Sequence, residues 1–295
     1  MRILLTGSTG QIGGDLADLL STHDVIKPTR AQLDLADPVA LRDVVRSVQP
    51  DLIINPAAYT AVDRAEQEPE LARRINALAP EILATEAKRL DIPLIHFSTD
   101  YVFDGTAASP YSEDSAPNPM NVYGATKLDG ERAVATSGCV HVILRTSWVY
   151  SRRGRNFLLT IERLARERPR LTIVADQHGT PNWSRELALA AVRLATLTRE
   201  EIAAKSGLYH LGCRGATTWH GFATAIVGSM GLANPPEVVP IETSDYPTPA
   251  RRPAYSVLSC DRIRAAFGIE LPHWGDALAA CQAEVRPTVD QRRTG

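Results

Sequence analysis

Lysine is scarce in this chain. Of 295 residues only Lys27, Lys88, Lys127 and Lys205 are lysines, and arginine carries most of the positive charge. Cysteine is sparse too. Cys139, Cys213, Cys260 and Cys281 lie far apart with no CxxC pair, which argues against zinc ligation or a thiol redox motif and fits buried, reduced thiols in the cytoplasm. No apolar run approaches the ~18 residues of a membrane span, and no signal-peptide pattern precedes the strand-like RILLT. The formal net charge is -2, so no basic excess draws the chain to nucleic acid or to an acidic membrane. There is no internal repeat.

What remains is an ordinary globular composition, 44% hydrophobic and 22% charged. Short apolar runs alternate with helical patterns in the first half. RILLT (2–6), DVI (24–26), DLIIN (51–55), PLIHFS (93–98) and CVHVILR (139–145) suggest strands; 11–21, 38–48, 66–91 and 121–136 have helical spacing. Continuous apolar strands separated by helices predict a parallel sheet covered on both faces, an α/β Rossmann-type doubly wound fold that binds ligands beyond the carboxyl ends of its strands. The second half predicts helices at 156–167, 185–197, 218–229 and 274–285, strands at 171–176 and 207–212, a proline-rich loop over 233–255 and a polar tail after Pro287. The expected organisation is a cofactor-binding domain over 1–150 with returning segments at about 171–220. A smaller mixed α/β substrate-binding region, mainly 151–295, interleaves with it.

TGSTGQIGG follows the first strand and opens a helix, with Gly7, Gly10 and Gly13 spaced GxxGxxG. Glycine permits a tight turn and close backbone approach to a pyrophosphate, and a helix N-terminus favours its negative charge. A plain strand-to-helix turn is the alternative. After the second strand, Lys27 and Arg30 stand where an acidic residue would bind the free ribose of NAD. Cations there suit the 2′-phosphate of NADPH, with NADH also possible. Asp34 and Leu35 could meet the adenine, and NPAAYT (55–60) leaves room for cofactor at Ala57 and Ala58.

FSTDYVFDG (97–105) leaves the fourth strand, placing Ser98, Thr99 and Asp100 at the carboxyl edge. YGATK follows, and among eight tyrosines only Tyr123 has a lysine four residues later. Residues four apart share a helical face. A lysine so placed is expected to lower the tyrosine pKa, making Tyr123 a proton donor to a carbonyl oxygen as hydride arrives. Thr99 could orient that oxygen. A shared helix face without chemistry is the plainer reading.

TGSTGQIG, STDYVFDG and YGATK together resemble the extended short-chain dehydrogenase/reductase superfamily, sugar-nucleotide branch. TAVDRAE (60–66), NVYGATKLDGE (121–131), RTSWVY (145–150), DQHGTP (176–181), GLYHL (207–211), TTWH (217–220) and YPTPARRP (246–253) narrow the resemblance to its dTDP-4-dehydrorhamnose reductase family, from residue 1 to about 285. The resemblance implies reduction of the C4 ketone of a dTDP-linked sugar by NADPH or NADH, in making dTDP-L-rhamnose for cell-surface polysaccharide. It implies that Tyr123 donates the proton, Lys127 also holds the nicotinamide ribose, and Thr99 tunes the reacting centre. Gly10, Gln11 and Ile12 would touch the pyrophosphate, Asp34 and Leu35 the adenine end, and Ala58, Tyr59 and Thr60 the inner half of the cofactor. Asp100 and Trp148 would meet the sugar. Arg251 and Arg252 either pair with substrate phosphates or are solvated. Some members bridge a dimer through magnesium held by carboxylates. Here Arg185 falls near one ligand position, beside Glu186, so no metal is expected. The chain is expected to be a monomer or a homodimer. Pro56 stands where alanine is expected and removes a backbone donor. A related sugar-nucleotide reductase or epimerase, or a regulatory subunit that binds cofactor without turnover, also fits the fold.

Overall fold

The computed structural model describes residues 1–284. In chain order its strands are β1 (Arg2–Leu5), β2 (Asp24–Ile26), β3 (Leu52–Asn55), β4 (Leu94–Thr99), β5 (His141–Thr146), β6 (Val149–Tyr150), β7 (Arg170–Val174), β8 (His178–Gly179), β9 (Asn182–Trp183), β10 (Gly207–His210), β11 (Thr217–Thr218) and β12 (Glu237–Ile241). Six of them form one sheet in the order β10-β5-β4-β3-β1-β2, every neighbouring pair parallel. The order reverses between β1 and β3, so the crevice for a ligand opens at their carboxyl ends.

Strand residues alternate between the two faces, as a period of two requires. Ile3, Leu5, Ile54, Ile95, Phe97, Val142 and Leu144 join one core cluster. Leu4, Ile53, Leu94 and Ile143 join the other. Helices Gln11–Leu19, Phe157–Glu167 and Ser184–Ala195 contribute Leu16, Ile161 and Leu187 to the first; helices Pro38–Val48 and Ala79–Leu90 contribute Val45 and Leu83 to the second. Both faces are dry, which is why the strands have near-continuous apolar runs.

The second half departs from the sequence expectations in two places. The predicted strand at 171–176 is β7, but it pairs with β12 outside the main sheet. Of the segments expected to return to the cofactor domain, β10 completes the sheet beside β5, and helix Ser184–Ala195 packs on Gln11–Leu19. The proline-rich stretch 233–255 is not all loop, because Glu237–Ile241 is β12; Pro240 is tolerated in that two-stranded sheet. The long pattern at 66–91 is interrupted by a π-helical turn at Arg74–Leu78. The expected tail after Pro287 lies outside the described residues. No helix among the described residues is long and apolar enough to cross a membrane.

Candidate active site

The glycine loop leaves β1 and ends at helix Gln11–Leu19, which Gly10 caps. Gly7 adopts φ +60°, and a Cβ there would lie 2.9 Å from the Ala57 Cα. A Cβ on Gly13 would lie 2.1 Å from the Gly7 carbonyl oxygen. These two positions therefore admit glycine alone, and the loop folds tightly back on its helix. The first helical turn carries no acidic residue, so the N-terminal dipole is uncancelled and the cradle fits an anion. Gln11 donates to the Val149 carbonyl at 3.3 Å, and Ile12 packs against the core. Lys27 and Arg30 are exposed just beyond β2. Asp34 is exposed and caps its own turn by accepting from Ala36 N–H at 3.0 Å; Leu35 packs against the second core cluster. Ala58 and Tyr59 are half-buried in the loop after β3, and Thr60 is exposed. That loop, Pro56 included, is pinned by Asn76. Its Oδ1 accepts from the Tyr59 N–H at 2.8 Å and its Nδ2 donates to the Tyr59 carbonyl at 3.2 Å. Asn76 also reaches Thr126 Oγ1 at 3.2 Å.

β4 ends at Thr99, whose hydroxyl donates to Asp100 Oδ1 at 3.0 Å and accepts from Tyr101 N–H at 3.2 Å. The chain then makes a 3₁₀ turn, Asp100–Val102, against which helix Val122–Thr136 packs. Asn121 caps that helix through Gly124 N–H at 2.8 Å, and Glu66 accepts from Val122 N–H at 2.8 Å. The glycine of YGATK is a contact residue: a Cβ on Gly124 would lie 2.1 Å from the Tyr101 carbonyl oxygen. This close approach sets Tyr123 beside Thr99 and stacks it edge-on against Tyr101, with ring centroids 5.6 Å apart.

Lys127 is one turn further on and fully buried. Its Nζ donates to the Phe97 carbonyl at 2.7 Å and lies 3.4 Å from His96 Nε2. Behind it, Glu131 takes a bidentate pair from Arg145 at 2.8 and 2.6 Å and a hydroxyl from Ser98 at 2.5 Å. Burial pushes Lys127 down to about 8, opposed by the Glu131 carboxylate. Burial also pushes Tyr123 up to about 12; Thr99 opposes this and the Asp100 carboxylate adds to it. The expectation that Lys127 lowers the Tyr123 pKa is thus not met in the free protein. The ammonium is spent on the Phe97 carbonyl, and burial sets the direction of the Tyr123 shift. The result still suits a proton donor, because a phenol held high is fully protonated at neutral pH.

Asp100 is buried, and burial raises it to about 6. Its Oδ2 makes no hydrogen bond of good geometry, although the Ser256 hydroxyl lies against the carboxylate. Trp148 has φ +43° and stacks flat on Trp219 at 3.6 Å. Asn182 holds that strained turn, donating to the Ser147 carbonyl at 2.7 Å. Arg252 pairs with Asp63 at 2.9 Å, while its Nη1 is buried without a partner. Arg251 is exposed, though its carbonyl accepts from Asn121 at 2.8 Å. Arg185 pairs with Glu284 at 2.6 Å, and no group of three potential metal ligands occurs among the described residues. A cavity of about 630 Å³ beneath Leu211–Ala216 and Tyr255–Arg264 is lined by none of Thr99, Tyr123 or Lys127.

The sequence pattern therefore locates Thr99, Tyr123 and Lys127 together but misses what holds them. Asn55, Asn76, His96, Glu131 and Arg145 had no assigned role. Four of them have a legible signal. They sit in the register of buried strands or one helical turn beyond Lys127, where a polar residue has to be satisfied by a partner.

The family described as the RmlD substrate binding domain matches residues 1–286. A dTDP-4-dehydrorhamnose reductase of Burkholderia thailandensis is 47% identical over 291 residues, covering 95% of this chain and 98% of the relative. That of Salmonella typhimurium is 41% identical over 286 residues, covering 93% and 94%. The solved structure of dTDP-4-dehydrorhamnose reductase from Bacillus anthracis, in complex with NADP, has a TM-score of 0.89 and 33% identity over 96% of this chain and 99% of that one.

Proposed function

The chain belongs to the RmlD substrate binding domain family, and from that premise we propose that it reduces the C4 ketone of dTDP-4-dehydro-β-L-rhamnose to give dTDP-L-rhamnose. It is an NADP-dependent oxidoreductase. The observation that carries the reading is the gathering of Thr99, Tyr123 and Lys127 at the carboxyl edge of the sheet that also carries the glycine loop.

NADPH bound in the crevice supplies the hydride. Gly7, Gly10, Gln11, Ile12 and Gly13 hold its pyrophosphate, Arg30, Asp34 and Leu35 its adenosine end, and Ala58, Tyr59 and Thr60 its inner half. The tightness of the glycine turn supports this, since side chains at Gly7 and Gly13 would collide with Ala57 and with the Gly7 carbonyl and force open the loop whose backbone would cradle the anion. Tyr123 gives its hydroxyl proton to the C4 oxygen as that oxygen gains charge, and the Thr99 hydroxyl holds the oxygen in place. Lys127, one helical turn away, favours the phenolate left behind and holds the nicotinamide ribose. Asp100 and Trp148 meet the sugar. Arg252, with Nη1 free, is the cation for a substrate phosphate. Residues 1–150 with the returning helix and β10 bind the cofactor, and the region around β7 and β12 binds the sugar nucleotide. We place the enzyme in the cytoplasm, as a monomer or homodimer without a bound metal.

The test is to supply dTDP-4-dehydro-L-rhamnose, generated in place by upstream enzymes, and to follow NADPH consumption and product stereochemistry. Turnover to dTDP-L-rhamnose is expected. Preference for a 4-keto sugar on another base would move the assignment within the branch, and no consumption with any 4-keto sugar nucleotide would leave a cofactor binder.

A further inference from the structure

A polar row crosses the sheet beneath the active site. Thr6, Asn55 and His96 each follow a buried core residue by two positions, after Leu4, Ile53 and Leu94, and so face the same side. Asn55 and His96 are register partners on β3 and β4. Thr6 Oγ1 lies 2.5 Å from Asn55 Oδ1, Asn55 Nδ2 lies 3.0 Å from His96 Nδ1, and His96 Nε2 lies 3.4 Å from Lys127 Nζ. All four side chains are buried. The row runs from the first residue after β1, next to Gly7 of the anion cradle, to the lysine of YGATK.

The distances give the row a direction. A separation of 2.5 Å suits O–H···O and is too short for N–H···O, so the Thr6 hydroxyl donates to Asn55 Oδ1. The Asn55 amide then presents its NH₂ to His96 Nδ1, which accepts in preference to donating to the nearby Asn55 backbone carbonyl. A neutral imidazole accepting at Nδ1 carries its proton on Nε2. That N–H points at Lys127 Nζ. An ammonium has no lone pair to receive it, whereas a neutral amine does, and the 3.4 Å gap is wider than a good hydrogen bond. His96 itself stays neutral: burial and the nearby Lys127 hold it well below the usual histidine range.

From this row we propose that His96 is a positioning residue that disfavours the ammonium form of Lys127, through a tautomer dictated by Asn55 and Thr6. The role of Lys127 in turnover rests on the reductase reading; its coupling to His96 does not. The other charged groups around the pair are accounted for. Glu131, on the same helix, favours the ammonium and is itself held by Arg145 of β5 and Ser98 of β4. His141 of β5 acts on His96 from the neighbouring strand, with its Nδ1 against the Cys139 carbonyl. None of these touches Thr6.

The row makes a remote prediction. In Thr6→Val the donor that fixes the amide is gone. The Asn55 amide can turn over and accept from His96 Nδ1–H, and His96 then offers an Nε2 lone pair to Lys127. The lysine should hold its proton to higher pH. With only four lysines in the chain, protein labelled with ¹³C at the lysine ε-carbon gives a resolvable titration for Lys127, assigned by comparison with Lys127→Met. The Lys127 midpoint should rise by about 1 pH unit in Thr6→Val, while the other three lysines stay put. An unchanged midpoint in folded Thr6→Val overturns the proposal. A second measurement needs no variant: long-range ¹H–¹⁵N spectra of the wild-type histidines report the tautomer of His96. The Nε2–H form is expected, and an Nδ1–H form or an imidazolium overturns the proposal. Neither readout uses turnover, so failure of the sugar-nucleotide assay with a shifted midpoint would sink the functional reading and leave the coupling standing.

Discussion

Removing Glu131 while leaving Arg145 in place should be among the most damaging single changes to the site. Arg145 is 2% exposed and Glu131 5%. The guanidinium makes both of its side-chain hydrogen bonds to that carboxylate, at 2.8 and 2.6 Å, and Nη1 already lacks a partner. In Glu131→Leu a full positive charge stays buried with nothing to receive its protons, and Ser98 loses its acceptor. Breaking a buried pair from one side costs about 3–5 kcal/mol, a large share of the roughly 5–15 kcal/mol that holds a domain together. At about 2–4 °C per kcal/mol, the melting temperature should fall by roughly 6–20 °C. Replacing both partners, Glu131→Leu with Arg145→Met, removes the charges together and should recover most of that loss, because desolvating the pair already offsets its Coulombic gain. Urea denaturation of the two single variants and the double variant measures the cycle. A single variant within about 1 kcal/mol of wild type, or a double variant no more stable than Glu131→Leu, would refute the reasoning, since the pair would then be solvated or the damage would be steric.

Tyr123→Phe should bind NADPH within about twofold of wild type and lose at least ~100-fold in turnover; near-normal turnover would remove Tyr123 as proton donor. Arg30→Ala should weaken NADPH more than NADH in equilibrium titrations, and equal losses would dismiss the cation beyond β2 as a 2′-phosphate ligand. Lys127 should leave a signature in stability against pH. In the unfolded chain it holds its proton to ~10.4, in the folded chain only to about 8, so between these values the unfolded state binds the extra proton. Its contribution to stability should therefore rise with pH across that window, by at most ~1.4 kcal/mol per pH unit. Urea midpoints of wild type minus those of Lys127→Met should show the rise, and a flat difference would mean that the lysine is not desolvated.

Most of the sheet was legible because burial on both faces leaves a pattern that a single chain can display. β1, β3, β4 and β5 are apolar runs, and each falls where its run predicts. β12 was hidden by prolines, which signal a loop unless the strand has a free edge. β7 was recognised as a strand, but its partner is almost seventy residues away in sequence, and pairing at that separation leaves no local mark. The π-turn at Arg74–Leu78 was equally silent, since one extra residue per turn hardly disturbs helical spacing.

The reactive residues divide in the same way. Glycine spacing after a strand and a tyrosine four residues before a lysine are local facts, and they were enough to name Gly7, Gly13, Thr99, Tyr123 and Lys127. Their chemistry depends on neighbours brought in from elsewhere. Spacing suggested that Lys127 would make Tyr123 acidic. Folding instead buries both, gives the ammonium to the Phe97 carbonyl, and sets His96 and Glu131 on either side of the lysine. Arg252 is a candidate phosphate ligand by residue type, but only the fold shows that Asp63, 189 residues away in sequence, takes one side of it and leaves Nη1 without a partner. Residue type and local spacing decide which groups can take part, because helices and strands have fixed periods. Their protonation states and partners follow from desolvation and contact across the chain, and only the tertiary structure sets those.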